Sequence, residues 1–384
     1  MEQRQDSKGN TRAGLGKQMC SRNRETLTHL FTSGEIDLLP GAIFDSLPLS
    51  LPDDFDFDRV EGMMLGLAIG DALGNTTEGW PASDRRTVFG EIRDYVAGRS
   101  GANSAGLPSD DSQLAFWTLE QMLADDGFCP ENVAARYCRG TIRGVGSTVS
   151  RFLAKYHAGL PWHQCGPKSA GNGALMRIAP MLVPHLKCRS TDLWVDTALS
   201  AMMTHNDAGS IAACLSFVKI LWELLRSKSP PEPEWWPSTY TQVAVDLESE
   251  SCYRPRGGLF RDYEGPIYRF VLEKTSEAYR ADLGVFEACE RWFSGAFLLE
   301  TVPSVIYILM RCAHDPEEAI VRAVNDTWDN DTIGAIVGAA VGALHGRAKL
   351  PDRWVTALPG RTSMDEADDG RVFELLRAAR QKWG

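Results

Sequence analysis

Glycine recurs at every fourth position in two distant segments, as Gly62, Gly66, Gly70 and Gly74 and again as Gly334, Gly338, Gly342 and Gly346. A repeat of four keeps these residues on one face of an α-helix. Each interior glycine costs a helix about 1 kcal/mol relative to alanine. A ridge of four therefore implies compensation, and the usual source is close approach of another backbone. The pattern predicts two buried central helices that could touch each other. Packing alone accounts for the glycines; any chemistry belongs to the helix ends.

Other helical periods extend this reading along the chain. Val60–Leu73, Ser112–Leu123, Asn132–Cys138, Ala174–Leu186, Thr191–Met203, Ala208–Leu225, Tyr268–Thr275, Val285–Phe293, Val302–Arg311, Pro316–Val324 and Thr332–His345 all carry apolar residues at helical spacing. Alternating strand patterns are almost absent. Residues 227–241, SKSPPEPEWWPSTYT, read as a loop. The expectation is one all-α domain over 59–384. Residues 1–58 form an N-terminal extension: a polar, disordered tail to about residue 25, then a leucine–proline stretch at 38–52 that reads as an extended arm. Its leucines are poorly suited to solvent, so that part should pack on something.

A net charge of −11 argues against a nucleic-acid partner, which calls for a basic surface. The nine cysteines are scattered with no C-x-x-C pair, so neither a zinc ribbon nor a disulfide framework is indicated. Reduced thiols, an N-terminus without a secretion-type apolar run, and Ile333–Leu344 being too short to span a bilayer point to a soluble, cytoplasmic protein without a membrane.

Two acidic clusters stand at predicted helix starts, Ser109-Asp110-Asp111-Ser112 and Asp329-Asn330-Asp331-Thr332. Either one alone makes a good helix cap, with its carboxylates favoured by the helix dipole. If helix packing joins them, they offer four carboxylates and hydroxyls, the hard oxygen ligands that Mg²⁺, Mn²⁺ or Ca²⁺ prefer. Asp71 sits mid-helix among apolar residues, where a carboxylate is seldom buried without a partner. It could orient water at a metal, or bond to nearby backbone.

Together these segments resemble the ADP-ribosylglycohydrolase family. The matching motifs are Gly66-Leu67-Ala68-Ile69-Gly70-Asp71-Ala72-Leu73-Gly74 with Glu78, then Ser109 to Ser112, Asn172-Gly173-Ala174-Leu175-Met176-Arg177-Ile178-Ala179-Pro180, Thr204-His205, and Asp329 to Ala335. They run in order from about 59 to 346. The resemblance implies a single compact multi-helix domain binding two Mg²⁺ or Mn²⁺ ions. By position it implies Ser109, Asp110, Asp111, Asp329, Asp331 and Thr332 as metal ligands, with Glu78, Asp111 and Asp329 as catalytic carboxylates. It implies Arg143, Gly144, Gly146, Asn172, Gly173 and His205 around the ADP-ribose. The Gly171-Asn172-Gly173 run leads into the predicted Ala174 helix, so its N–H groups and the helix dipole could meet a phosphate. A lone glycine turn or a capping histidine would otherwise be ordinary.

One departure stands out. Trp328 replaces a glycine usual in the family immediately before the paired aspartates, where it could stack on substrate or narrow the cleft. The implied activity is removal of ADP-ribose from protein side chains, arginine above all. Such activity suits immunity against an ADP-ribosyltransferase toxin. A competing reading is a non-enzymatic inhibitor that blocks a transferase partner with its N-terminal arm.

Overall fold

A computed structural model describes residues 6–97, 106–248, 251–362 and 371–384, with side chains from residue 20 onward in the first segment. Its α-helices are α1 (Asp6–Ser33), α2 (Asp58–Gly74), α3 (Ala82–Phe89), α4 (Asp110–Asp125), α5 (Pro130–Tyr137), α6 (Ser147–His157), α7 (Trp162–Cys165), α8 (Asp192–Thr204) and α9 (Ala208–Arg226). The second half adds α10 (Trp235–Glu248), α11 (Ile267–Arg280), α12 (Val285–Trp292), α13 (Leu298–Cys312), α14 (Pro316–Asp326), α15 (Asn330–His345), α16 (Asp352–Ala357) and α17 (Val372–Trp383). Extended pairing among the described residues is confined to two isolated bridges, Gly171 with Phe297 and Tyr253 with Gly265. The fold is all-α, as the periodicity indicates.

Helices α2 and α15 form the centre and are buried on every side after their first residues. Their glycine ridges face each other. Gly62 lies against Gly342, Gly66 against Gly338, Gly70 against Gly334, and Gly74 against Asp331. Each step of four forward along α2 meets a step of four backward along α15, so the pair is antiparallel. A methyl group at any of these glycines would overlap the partner's main chain. The C-terminal end of α2 is thereby fixed beside the N-terminal end of α15.

Several expectations needed correction. Ala174–Leu186 is two 3-10 turns, Leu175–Arg177 and Ala179–His185, rather than an α-helix. Pro180 and Pro184 each remove a backbone donor there. Residues 235–241, read as loop, begin α10; Pro237 lies in its first turn, where a helix has no use for the missing N–H. The polar N-terminus is helical from Asp6. Its weak amphipathic signal hid the anchors that hold it: Leu27 and Leu30 are buried, and Asn23 donates to Asp196 (2.8 Å) and to the Phe128 carbonyl (2.9 Å). Arg24 pairs with Asp192 at 2.6 Å. The leucine–proline stretch straps across α8 and α9, where the indole N–H groups of Trp194 and Trp222 donate to the carbonyls of Ser46 and Leu49. Ile36, Leu38 and Ile43 join the same core as the central helices. Among the described helices only α9 is long and apolar enough to cross a membrane, and 89% of its apolar window is buried inside the protein.

Candidate functional site

The antiparallel register of α2 and α15 brings the two acidic clusters to one end of the helix pair. Asn330 staples that end: its amide donates to the carbonyls of Gly74 (3.1 Å) and Val324 (3.1 Å) and to the Thr77 hydroxyl (3.0 Å). Asp71, wholly buried near the end of α2, then gathers the other cluster. Its carboxylate accepts from Ser109 N (2.9 Å to each oxygen), Ser109 Oγ (2.7 Å), Ser112 N (3.0 Å), Ser112 Oγ (2.7 Å) and Asn75 Nδ2 (3.2 Å). Those bonds use up its lone pairs. Asp71 therefore positions the start of α4 by bonding to nearby backbone and hydroxyls, the second of the two roles open to it. Ser109 does not cap α4 with its side chain; its one hydroxyl proton is shared between Asp71 and Asp111.

Around this end lies a cleft of about 330 Å³. Asp110, Asp111, Asp329, Asp331 and Thr332 form its floor, with Glu78 at the mouth. Gly144, Gly146, Asn172, Gly173 and His205 line its walls. Two sets of carboxylates have ligand oxygens within 4.8 Å of one another: Asp71, Asp111 and Asp331, and Glu78, Asp329 and Asp331. Asp331 belongs to both. Since Asp71 is saturated by its donors, the oxygens free for a cation in the first set are those of Asp111 and Asp331.

The electrostatics match a cation site. Burial, then Asp71, Asp110 and Asp329, hold the Asp111 carboxyl well above the usual range. Burial, followed by Asp111, Glu78 and Asp329, does the same to Asp331. Asp110 is raised by burial, Asp71 and Glu78, against the pull of the Gly146 N–H. Burial pushes Asp329 up to about 7, although the Asn172 amide donates to it at 2.5 Å. Glu78, exposed at the cleft mouth, is raised by partial loss of hydration and by Asp71. Without cations such a cluster relieves its repulsion by taking up protons; divalent ions relieve it without them. Asp111 Oδ1 is buried with no hydrogen-bond partner, which is the condition a metal ligand would be in. The residues present fit divalent cations.

Beside this floor, past the Gly146 N–H that Asp110 accepts from, the cleft changes character. The N-terminus of α6 opens into it at Gly146, Ser147 and Thr148, with Arg151 one turn further on. Gly171 and Gly173 pack on the His205 ring; a methyl at Gly173 would stand 2.9 Å from Cε1. Burial, then Arg177 and Arg151, drives the His205 pKa down to about 3, so the ring is neutral. Thr204 Oγ1 accepts from Arg177 (2.7 Å) and can give its own proton to His205 Nδ1 (2.9 Å). That assignment leaves Nε2–H toward the glycine loop.

Two expected contacts lie elsewhere. Arg143 does not line the cleft, because its guanidinium grips the carbonyls of Leu107 (2.5 Å) and Pro108 (2.9 Å) and so braces the approach to Ser109. Trp328 also stands outside the main cleft, in an adjoining recess. The glycine run at 171–173 opens onto a three-residue 3-10 turn, so it lacks the helix dipole expected there; α6 supplies one instead. Sequence reasoning missed Arg256 and Phe297, which line the cleft. Arg256 is clasped by Glu300, through Nε at 3.2 Å and a terminal nitrogen at 2.7 Å, and lies 5.3 Å over the Phe297 ring. Glu300 was the available signal, a lone carboxylate in an apolar helix that demands a cation.

A family model for ADP-ribosylglycohydrolase matches residues 52–383. The chain belongs to the ADP-ribosylglycohydrolase family. Members of this metal-dependent family hydrolyse ADP-ribose from modified substrates, ADP-ribosylated proteins among them. An uncharacterised protein of Archaeoglobus fulgidus is 28% identical over 83% of this chain and 97% of its own length. The ADP-ribosylarginine hydrolase Tri1 of Pseudomonas putida is 24% identical, over 78% of this chain and 73% of its own. A solved ADP-ribosylglycohydrolase-related protein complex superposes with a TM-score of 0.61 and 28% identity, covering 84% of this chain and 98% of that one.

Proposed function

We propose that the cleft hydrolyses the N-glycosidic bond joining ADP-ribose to a protein arginine side chain, with two Mg²⁺ or Mn²⁺ ions on its acidic floor. The observation that carries this reading is the convergence of Glu78, Asp110, Asp111, Asp329 and Asp331, with Asp111 Oδ1 buried and unpartnered among them. Asp331, common to both carboxylate sets, would help to hold a cation in either. Thr332 adds a hydroxyl oxygen to the same floor, while Ser109 lies behind it and reaches the site through its hydrogen bond to Asp111. Cations held there would anchor the ribose hydroxyls and lower the pKa of water.

The chain's own groups do the rest. The α6 N-terminus and Arg151 suit the diphosphate, since unpaired helix N–H groups and a guanidinium both favour anions. Asn172 holds Asp329 in place, and His205, neutral and buried, fixes the glycine wall. Water forms the new bond to the anomeric carbon as the carbon–nitrogen bond breaks, and its proton passes to the leaving guanidine nitrogen. Glu78, the exposed carboxylate at the mouth, is placed to carry that proton, with Asp111 and Asp329 orienting water beneath it. An arginine linkage is supported by the relative named an arginine hydrolase. Of the arm, Ile36, Leu38 and Ile43 are buried on the chain's own core whereas Leu39, Leu47 and Leu49 are exposed, so the preference for an enzyme over an inhibitor rests on the cleft.

The test is release of ADP-ribose from arginine- and serine-modified proteins, with Mg²⁺ or with EDTA. Release from the arginine substrate is expected with Mg²⁺ and should be lost in EDTA. Asp331→Ala should lose both metal binding and turnover; full activity in that variant would overturn the two-metal scheme. Protection of cells against an ADP-ribosyltransferase toxin is the corresponding test of an immunity role.

A further inference from the structure

Beyond Glu78 and Asp329 the cleft continues into a second recess of about 360 Å³, bounded by Gly79, Arg256, Phe293 and Trp328. Glu78, Arg256 and Asp329 line both cavities. With ADP-ribose in the main cleft, as proposed above, a group departing from a sugar bound over the carboxylates would have this recess before it.

The recess has a built aromatic wall. The rings of Phe293 and Trp328 touch, with centroids 5.3 Å apart and planes inclined by 44°. Ser294, buried between them in the chain, clamps the wall to the catalytic floor. Its hydroxyl accepts from Trp328 N at 3.0 Å and its carbonyl from Asp329 N at 2.9 Å. Trp328 is thus held one residue from Asp329 and remains half-buried, facing the recess. Arg256 brings a positive charge to the same place, but the wholly buried Glu300 pairs with one edge of its guanidinium, through Nε and one terminal nitrogen, and accepts from its backbone N–H as well. The charge left without a salt bridge at the junction is that of the carboxylates, Glu78 foremost.

We propose that Trp328 is a specificity-determining residue: the recess receives the leaving group, and the indole face with Glu78 selects a planar cation, the arginine guanidinium. A guanidinium is flat, delocalised and weakly hydrated, so it stacks on an indole while donating to a carboxylate in its own plane. A serine hydroxyl has neither a π face nor a charge to offer this wall. The inference rests on the glycohydrolase reading of the adjoining cleft.

Trp328→Leu and Trp328→Phe separate the wall's chemistry from its bulk. With ADP-ribosylarginine protein as substrate, Trp328→Leu should lower kcat/KM roughly tenfold, the usual worth of a partly desolvated cation–π contact. The inhibition constant of agmatine, a free guanidinium probe, should rise by a similar factor, and Trp328→Phe should recover most of both. A fall in kcat/KM with agmatine inhibition unaltered would make Trp328 a merely structural residue and overturn the proposal. So would wild-type protein that binds ADP-ribose in calorimetry yet releases it faster from serine than from arginine. Wild-type protein that neither binds ADP-ribose nor hydrolyses either linkage would overturn the cleft reading together with this one.

Discussion

Individual side chains carry the sharpest predictions. Asp71→Asn would set an amide N–H₂ against the N–H and hydroxyl donors of Ser109 and Ser112, leaving buried donors unmatched. Such a loss costs about 1–3 kcal/mol. The variant should melt at lower temperature and bind Mg²⁺ more weakly, as calorimetry would show, although Asp71 itself has no free oxygen to offer. Glu248 supplies a pH dependence far from the cleft. Burial, helped by Asp207, pushes its carboxyl up to about 8, against the N–H of Ile267 at 2.6 Å. Its folded-state pKa lies above the ordinary 4.5, so its contribution is complete below 4.5 and is lost as pH rises through about 8. Melting temperature should therefore fall over that window in the wild type and fall less in Glu248→Gln. The acidic clusters were legible because paired carboxylates at helix starts are conspicuous. Arg256 was not, because the Cys252–Gly258 stretch has no periodicity and its partner Glu300 lies on another element.

Among the elements, α2 and α15 were the most legible, since only a backbone-to-backbone contact rationalises eight glycines at one spacing. The same contact decides the sign of a substitution. In an isolated helix Gly66→Ala or Gly338→Ala would gain about 1 kcal/mol. Here the new methyl meets the partner's carbonyl, and overpacking against rigid backbone costs roughly 1–3 kcal/mol or more. Thermal unfolding should show both variants destabilised despite their better helix propensity, and the Gly66→Ala, Gly338→Ala double variant should be far from additive. The elements that escaped the sequence reading did so for local reasons. Prolines 180 and 184 turned an apolar helical period into 3-10 turns. Pro237 disguised the start of α10, and α1 is anchored near its C-terminal end by Leu27, Leu30, Asn23 and an ion pair rather than by a long apolar stripe.

For the whole molecule, the N-terminal extension matters to stability more than to chemistry. Leu27, Leu30, Ile36, Leu38 and Ile43 are all buried in the common core, and each such side chain contributes about 1.5–3 kcal/mol of transfer free energy. Deleting residues 1–50 also removes the carbonyls that accept from Trp194 and Trp222. The truncated protein should unfold at a markedly lower temperature. At temperatures where it remains folded, ADP-ribose release should persist, since no described residue of that segment lines the cleft.

The glycine seam has a further consequence, for how this chain can vary. Where two helices meet through side chains, every core substitution shifts their spacing a little and so moves whatever sits at their ends. Here the spacing is set by main chain against main chain, from Gly62–Gly342 to Gly74–Asp331. The seam acts as a ruler whose length is independent of the side chains around it. Substitutions among the aliphatic residues packed outside it should therefore change stability while leaving Asp71 and Asp331, carried by the two helices, at the same separation.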